Sequence, residues 1–410
     1  MDSVKRVGSP PDRGTEVSVF PSLRVLYIKH MPALEEFYGG ARTSRWLPSL
    51  KSLSIIRCPK LRMFPNLPCG LRNVYIESVN WTALPELWQG GLSTSSSSSL
   101  SSLEISDCRG LVSLSKGFEK FTSLKELRVM GCPKLQRGST TQRFLPLSLE
   151  CLAVEDCNVL DALPKIPEDL NFLSEVKLKR CANIKSLPPA EVLGRWKALR
   201  RLSIEECSEL RSLGGLQALS SLKYLTVEEC PKLLAAASSS PSSLAVENHS
   251  SLTLEHLVID NPVVLSTVPL KSIAAREVYI GRCNEVRSST LEGWVLRNRT
   301  SLQVLKLGSV FSRHFPLVDL RSLSCLKRLG VDWCRKLQSL PRLPASLNKF
   351  CLYFCSPELE ERCLRDSGPD WRQIRHIPYV QIGKYNKEKL ATITPAEHRS
   401  RTRELEEDSS

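Results

Sequence analysis

The chain has 410 residues, 41% hydrophobic and 24% charged, a balance that is typical of folded proteins and excludes an intrinsically disordered chain. Its formal net charge of +14 permits a nucleic acid, an anionic surface or an acidic protein as partner. The 15 cysteines form no CxxC pair and are odd in number, which excludes a zinc-ribbon motif and argues against a secreted disulfide framework.

The N-terminal segment, residues 1–19, is polar and contains Pro and Gly, so we predict a flexible segment before the first repeat. It contains no apolar core of a secretion signal, and no run in the chain approaches the ~18 apolar residues that cross a bilayer. We therefore expect a cytoplasmic or nuclear location, reduced thiols and no membrane contact. Because nothing in this segment resembles a cap for the first repeat, we also expect that further chain precedes it.

One hexamer, with apolar residues at its first and third positions and usually a cysteine at its sixth, dominates the chain from residue 20 onward. About 14 copies lie 21 to 32 residues apart and begin at residues 26, 53, 74, 103, 127, 152, 176, 202, 225, 257, 278, 305, 329 and 350. With a Leu three positions before the hexamer and an apolar residue three positions after the cysteine, the pattern is LxxLxLxxCxxL. This is the period of leucine-rich repeats.

Each hexamer predicts a short strand whose alternate residues enter a core. One repeat cannot bury its apolar edge alone, so neighbouring repeats stack and their strands form a parallel sheet. The return segments are short and often contain Pro, as in CPKL at 58–61. The predicted fold is an α/β leucine-rich-repeat horseshoe solenoid over residues 20–385. Its parallel β-sheet lies on the concave face, with mostly irregular coil and 3-10 turns on the convex face.

The recurring cysteines predict a buried ladder where the strands end. Cysteine suits this position as a small apolar residue with a weak S–H donor. A metal site or disulfides would need special convergence between neighbouring repeats, so neither is expected. The ladder comprises Cys58, Cys108, Cys132, Cys157, Cys181, Cys207, Cys230, Cys283, Cys334 and Cys355.

The C-terminal part of the array reads as a cap, because a solenoid needs a polar outer face at its end. We assign this cap to residues 356–385, with a polar amphipathic segment around Glu358 to Arg365. Trp371, Ile374 and Ile377 then cover the open core. Residues 386–410 are charged and almost without aromatic residues, which predicts a disordered tail.

No catalytic, cofactor or metal site is indicated. The six histidines are scattered along the chain and no pair has metal-ligand spacing. The sequence contains neither a GxSxG elbow nor a GxxxxGK[ST] phosphate loop. We therefore expect a binding protein and not an enzyme.

The repeat motifs resemble the leucine-rich-repeat region of plant nucleotide-binding disease-resistance receptors of the coiled-coil class. The resemblance rests on LxLxxCPxL, on LYIKHMPALEEFYGG (26–40), on PELEERC (357–363) and on GPDWxxIxHIP (368–378). It covers roughly residues 20–385 and does not extend to the nucleotide-binding domain of those receptors. It implies a recognition role in plant defence, in which the solenoid senses a pathogen effector or regulates a nucleotide-binding switch domain of the same receptor family.

Charged residues directly before the ladder cysteines are the candidate partner-binding site. Same-position residues on neighbouring strands lie about 4.8 Å apart, so two rows are predicted on the concave side. One row contains Glu155, Lys179, Glu205, Glu228 and Asp260, and the next contains Asp156, Arg180, Glu206, Glu229 and Asn261. The candidates are Lys179 and Arg180, balanced by flanking acids, and the five stacked acids Glu205, Glu206, Glu228, Glu229 and Asp260.

Two function classes remain open at this point. One is a protein-recognition module of an immune receptor, and the alternative is a basic nucleic-acid-binding repeat scaffold, suggested by the net charge of +14. The mixed-to-acidic charge of the two rows disfavours phosphate binding, so a protein is the expected partner and nucleic acid is not.

Overall fold

The computed structural model describes residues 3–7, 20–37, 47–62, 64, 67–84, 99–114, 121–135, 145–157, 170–233, 252–267, 270–283, 289–310, 313–315, 317, 319–363 and 368–383. The predicted tail at 386–410 lies outside these ranges, as does most of the predicted flexible segment at 1–19. Among the described residues no helix has the length and apolar composition needed to cross a bilayer.

Fifteen parallel strands form one continuous sheet in which each strand pairs with its neighbour in the repeat array. They are β2 (Val25–Lys29), β4 (Ser52–Ile56), β5 (Asn73–Glu77), β6 (Ser102–Ser106), β7 (Glu126–Met130), β8 (Cys151–Glu155), β9 (Glu175–Lys179), β10 (Arg201–Glu205), β11 (Tyr224–Glu228), β12 (Thr253–Ile259), β13 (Ala274–Ile280), β14 (Val304–Leu307), β15 (Arg328–Asp332), β16 (Lys349–Tyr353) and β17 (Tyr379–Gly383). The predicted leucine-rich-repeat solenoid is confirmed.

The predicted hexamers supply every strand of this sheet except β17. Their first and third positions are buried, as at Leu202 and Ile204, except for the partly buried Leu26 of the first repeat, while the residues between them face the concave side. The fifteenth strand, β17, follows the last repeat and pairs in register with β16, from Lys349 opposite Tyr379 to Tyr353 opposite Gly383. The hexamer pattern did not predict it.

A second, two-residue sheet pairs β1 (Arg6–Val7) with β3 (Glu36–Phe37). Arg6 and Glu36 also form an ion pair at 2.9 Å. Val7 packs against the hydrophobic core. A part of the N-terminal segment therefore contacts the first repeat, which the polar composition of residues 1–19 did not predict.

Most strands are followed directly by a residue with left-handed backbone conformation. Among the described residues, eleven other than glycine have a positive φ, and each stands at the fifth hexamer position, directly before the ladder position. In most of these repeats the N–H of this exit residue donates to the last carbonyl of the next strand, as from Arg180 to Glu205 at 2.9 Å. The left-handed turn directs the following cysteine back into the core, so it positions both the ladder and the charged row beside it.

The cysteine ladder forms as predicted at nine of its ten positions, where the thiols are buried, and all 15 cysteines are free thiols. A typical thiol donates to the carbonyl two residues earlier, as from Cys157 to Glu155 at 3.3 Å. Burial raises the pKa of the Cys157 thiol to about 11, so this rung is uncharged at neutral pH. The tenth residue, Cys355, is only half-buried, so for this residue the prediction of burial was wrong.

Short helices cover the other side of the sheet. In the part of the chain that the structure describes, the α-helices are α1 (Ala190–Leu193), α2 (Ser289–Arg297), α3 (Pro357–Arg362) and α4 (Trp371–Ile374), and the 3-10 helices are Leu216–Ala218, Pro262–Ser266 and Leu270–Ser272. Side chains fix several of these elements, since the Ser356 hydroxyl accepts a hydrogen bond from the N–H of Leu359 at the start of α3. In the C-terminal region, Ile374 and Ile377 are buried.

Candidate recognition surface

The two predicted charged rows lie at the ends of β8 to β11, and we call them the exit edge. The strand register places Glu155 beside Lys179, Lys179 beside Glu205, and Glu205 beside Glu228. The second row consists of exit residues, because Asp156, Arg180, Glu206 and Glu229 all have a positive φ. The left-handed turn therefore aligns the charged residues along the sheet.

Lys179 and Arg180 are held by acids from both neighbouring repeats. The Arg180 guanidinium donates to Asp156 at 2.7 Å and to Glu155 at 2.6 Å, and these acids raise its pKa. The Lys179 Nζ lies 3.4 Å from Glu206 and 3.7 Å from Glu205. These partly exposed ion pairs order the edge but stabilise the fold only weakly.

Glu228 is the acid with the most perturbed titration on this edge. Burial and repulsion from Glu205, Asp260 and Glu229 raise its pKa to about 7. Among the described residues no lysine or arginine lies within ion-pair distance of its carboxylate. The edge therefore gains negative charge as the pH rises through neutrality.

Asp260 has a structural role and is not an exposed member of the acidic row. It is 8% exposed, and its carboxylate accepts the N–H of Glu229 at 2.8 Å. In a regular repeat the main-chain carbonyl at this position would accept that N–H, but the Asp260 carbonyl accepts from the N–H of Arg282 instead. The carboxylate replaces the missing carbonyl, so the predicted exposed row ends at Glu228.

Glu229 is also not an isolated acid. Its carboxylate accepts a hydrogen bond from Arg282 at 2.6 Å across the intervening β12 repeat. The two predicted rows compared only adjacent repeats and ended at Asn261, so they did not include Arg282. The signal was available in the sequence, because Arg282 occupies the hexamer position of Glu229 two repeats later.

A second row of charge, which the sequence analysis missed, lies where the strands begin. We call it the entry edge: Arg24, Lys51, Arg72, Ser101, Lys125, Glu150, Ser174, Arg200, Lys223, Glu255, Arg276, Gln303, Lys327 and Asn348. Neighbouring members are usually joined through the main chain, as where the N–H of Lys223 donates to the carbonyl of Arg200 at 2.9 Å. The sequence signal was a basic residue recurring two positions before the first apolar residue of the hexamer.

Eight entry-edge residues are Lys or Arg, and all eight are exposed. Lys125 pairs with Glu150 at 2.8 Å and Lys223 pairs with Glu255 at 2.6 Å. Within the described part of the chain, the other six basic residues form no ion pair. Along β8 to β11 the concave face thus lies between the mainly acidic exit edge and an entry edge whose charged residues are Glu150, Arg200 and Lys223.

Between the two edges the face is polar and partly aromatic. The Tyr224 ring stacks on His256 with centroids 4.9 Å apart, and Arg201 lies over the same ring at 4.4 Å. Where the chain is described, no three His, Cys, Asp or Glu side chains converge as a metal site would require. The arrangement is suited to binding a complementary surface.

Comparisons with known proteins agree on one class of relative. No protein-family model matches the chain. The chain is 27% identical over 192 residues, 46% of its length, to the Arabidopsis thaliana protein SUPPRESSOR OF npr1-1, CONSTITUTIVE 1. It is 25% identical over 374 residues, 80% of its length, to a probable disease resistance protein of the same plant. It is also 24% identical over 187 residues, 46% of its length, to Disease resistance protein RPS4B of that plant.

The chain covers only 12%, 20% and 14% of the lengths of these three relatives. Its homologues are therefore much longer plant disease-resistance proteins. Together with the solenoid fold, this confirms the resemblance inferred from the repeat motifs.

Proposed function

We propose that this chain is a protein-recognition module of a plant intracellular immune receptor. In this role it senses a pathogen effector or regulates a nucleotide-binding switch domain of the same receptor family. The names of its relatives support the defence role. The observation that carries the recognition role is the open parallel sheet with eight exposed bases at its entry edge and a mainly acidic exit edge along β8 to β11.

The dimensions of this surface suit a folded protein partner. Along a strand, six residue steps separate an entry-edge residue from the exit residue, as from Arg200 to Glu206, which corresponds to roughly 20 Å. Fifteen strands at about 4.8 Å spacing extend the sheet over roughly 65 Å. A face of this size can supply the roughly 800 Å² that each partner buries in a standard protein interface.

The edges also define what the partner must carry. A complementary protein presents acidic groups to the entry edge and basic groups to the exit edge, and this fixes its orientation across the strands. Such complementarity acts mainly on the association rate and on specificity. Because exposed charges are screened by salt, the contribution of the edges decreases as ionic strength rises.

The test is binding of the full chain to the nucleotide-binding domain of a resistance receptor from the plant in which this chain occurs. One variant neutralises the exit edge (Glu205→Gln, Glu206→Gln, Glu228→Gln, Glu229→Gln) and another reverses the entry edge (Arg200→Glu, Arg276→Glu, Lys327→Glu). We expect each variant to weaken the complex about tenfold or more at low salt, mainly through slower association, with a smaller loss at high salt.

A matched control reverses three exposed bases that lie outside the strands: Lys185→Glu, Lys197→Glu and Arg211→Glu. It changes the net charge by as much as the entry-edge variant and should bind like the parent. Equal losses for control and entry-edge variants would show a general charge effect and contradict recognition through the edges.

A nucleic-acid partner is a second candidate because the entry edge carries eight basic residues, six of which form no ion pair among the described residues. The acidic exit edge about 20 Å away opposes it by repelling a wide polyanion. Measuring the salt dependence of binding to double-stranded DNA and RNA oligonucleotides separates the two functions. Tight, salt-dependent binding that the entry-edge variant abolishes would favour the nucleic-acid function.

A further inference from the structure

The last rung of the cysteine ladder differs from the others. In a regular rung the thiol points to the carbonyl of its own strand, as from Cys181 to Lys179 at 3.4 Å and from Cys230 to Glu228 at 3.3 Å. Cys334 donates instead toward the carbonyl of Tyr353 in the next repeat, at 3.8 Å. Its Sγ atom thereby turns toward Cys355.

The Sγ atoms of Cys334 and Cys355 lie 2.7 Å apart. A further approach of about 0.7 Å would bring them to a disulfide bond length of about 2.05 Å. The two residues hold equivalent positions beside adjacent parallel strands, about 4.8 Å apart, which is within the Cα separation of natural disulfides. All adjacent rungs share that backbone spacing, and the thiols of Cys108 and Cys132 and of Cys181 and Cys207 also interact with each other. The 2.7 Å approach of the two sulfur atoms is what marks Cys334 and Cys355.

Neighbouring contacts hold the two exits together. The exit residues Trp333 and Phe354 stack with ring centroids 4.4 Å apart, although both have the positive φ that is uncommon for bulky side chains. The N–H of Trp333 donates to the carbonyl of Tyr353 at 3.0 Å. The two cysteines that follow the stacked rings are therefore fixed relative to one another.

Cys355 is also the accessible member of the pair, since it is half-buried while Cys334 is fully buried. Three positions after Cys355 stands the exposed Glu358, where a regular repeat has a buried apolar residue such as Ile184. An oxidant can therefore reach the last rung from solvent.

We propose that Cys334 and Cys355 are an oxidation site, a dithiol that hydrogen peroxide converts into a disulfide joining the last two repeats. The Cys355 sulfur attacks peroxide, the O–O bond breaks, and a sulfenic acid and one water form. The Cys334 sulfur then attacks the sulfenic sulfur, the S–O bond breaks and a second water leaves. Two thiols and one peroxide give one disulfide and two waters.

The reaction is slow at neutral pH because thiolate is the reacting form. The hydrogen bond with Cys334 and burial both raise the pKa of Cys355. The oxidation rate should therefore increase as the pH is raised from 7 to 9. The product restrains the end of the array, where terminal repeats open most readily.

The test is peptide mapping of the full chain after peroxide treatment and alkylation of the remaining thiols. Trypsin releases LGVDWCR (329–335) and FCLYFCSPELEER (350–362), and fragmentation distinguishes Cys355 from Cys351 in the second peptide. We expect the two peptides to be linked, so that the mass of the product is the sum of the two peptide masses minus two hydrogens. Dithiothreitol should separate them. The link should be absent from Cys355→Ser and retained in Cys351→Ser.

The matched control is the pair Cys207 and Cys230, whose thiols point to their own strand carbonyls and should remain unlinked. Oxidation should raise the melting temperature of the parent by about 5–10 °C and leave that of Cys355→Ser unchanged. Two unlinked peptides from the oxidised parent would overturn the proposal. So would equal linkage of Cys207 to Cys230.

Discussion

The exit residues after β8 to β10 and the exit residue after β11 find hydrogen-bond acceptors for their backbone N–H groups in two different ways. At the regular exits, the N–H of a left-handed residue meets the last carbonyl of the next strand, as from Glu206 to Glu228 at 2.9 Å. At the step, the N–H of Glu229 meets the carboxylate of Asp260. The row of backbone hydrogen bonds between exit residues and the next strand is thus interrupted, while the sheet itself continues.

The cause lies in the β12 repeat. Its ladder position holds Pro262, and the preceding Asn261 is extended, with φ −141°, instead of left-handed. The Asn261 side chain accepts from the N–H of Val263 at 2.9 Å and begins a 3-10 helix. The Asp260 carbonyl then bonds to the N–H of Arg282 after β13, so a side chain must satisfy the Glu229 N–H that is left over. A repeat array tolerates a strand-end carbonyl that bonds to the following repeat when a nearby side chain accepts the N–H that is left over.

The largest expected effect concerns the core that both regions share. Replacing the buried Leu202 of β10 by Ala should lower the free energy of unfolding by roughly 2–5 kcal/mol, measured by denaturant titration. Leu257→Ala in β12 should cost a similar amount, because both leucines are almost fully buried and adjacent to β11. A parent-like midpoint for Leu202→Ala would show that the strand register is wrong.

A smaller effect should separate the two regions. Asp260→Ala leaves the N–H of Glu229 without its acceptor and should lower the free energy of unfolding by about 1–3 kcal/mol. Asp260→Asn keeps an oxygen at the same position and should recover most of that loss. If the alanine and asparagine variants are equally stable, Asp260 does not replace the carbonyl.

The pH dependence of stability should reveal Glu228. Its pKa is raised from 4.5 to about 7, so between these values the folded protein retains a proton that the unfolded chain has released. The free energy of unfolding should therefore fall as the pH rises through this window, by roughly 1–2 kcal/mol after solvent screening. Glu228→Gln should remove this decrease, whereas Glu205→Gln should only reduce it, because Glu205 supplies part of the repulsion that raises the pKa of Glu228.

The smallest expected effect on stability belongs to the entry edge. Arg200→Glu, Arg276→Glu and Lys327→Glu alter exposed side chains that form no ion pair within the described residues. The melting temperature should change by no more than about 2 °C, because surface substitutions rarely exceed about 0.5 kcal/mol each. A large drop would mean that this edge stabilises the fold and would weaken its assignment to recognition.

The periodicity of the sequence was sufficient to predict the sheet, the strand positions and most of the ladder, because each repeat obeys the same local pattern. It could not predict Asp260, whose burial depends on the direction of one carbonyl. The contact between Glu229 and Arg282, which spans 53 residues and skips a repeat, was missed because only adjacent repeats were compared. The half-exposure of Cys355 depends on the α3 helix that replaces a regular return segment.

Recognition through the two edges is tested most directly by mapping contacts in the complex with the nucleotide-binding domain. A zero-length carbodiimide reagent joins carboxylates to amines that are already in contact, and mass spectrometry identifies the linked residues. Links should join lysines of the partner to Glu205, Glu206 or Glu229, and acids of the partner to Lys51, Lys223 or Lys327. Links confined to residues of the return segments, away from both edges, such as Lys185 and Lys197, would contradict recognition by the concave face.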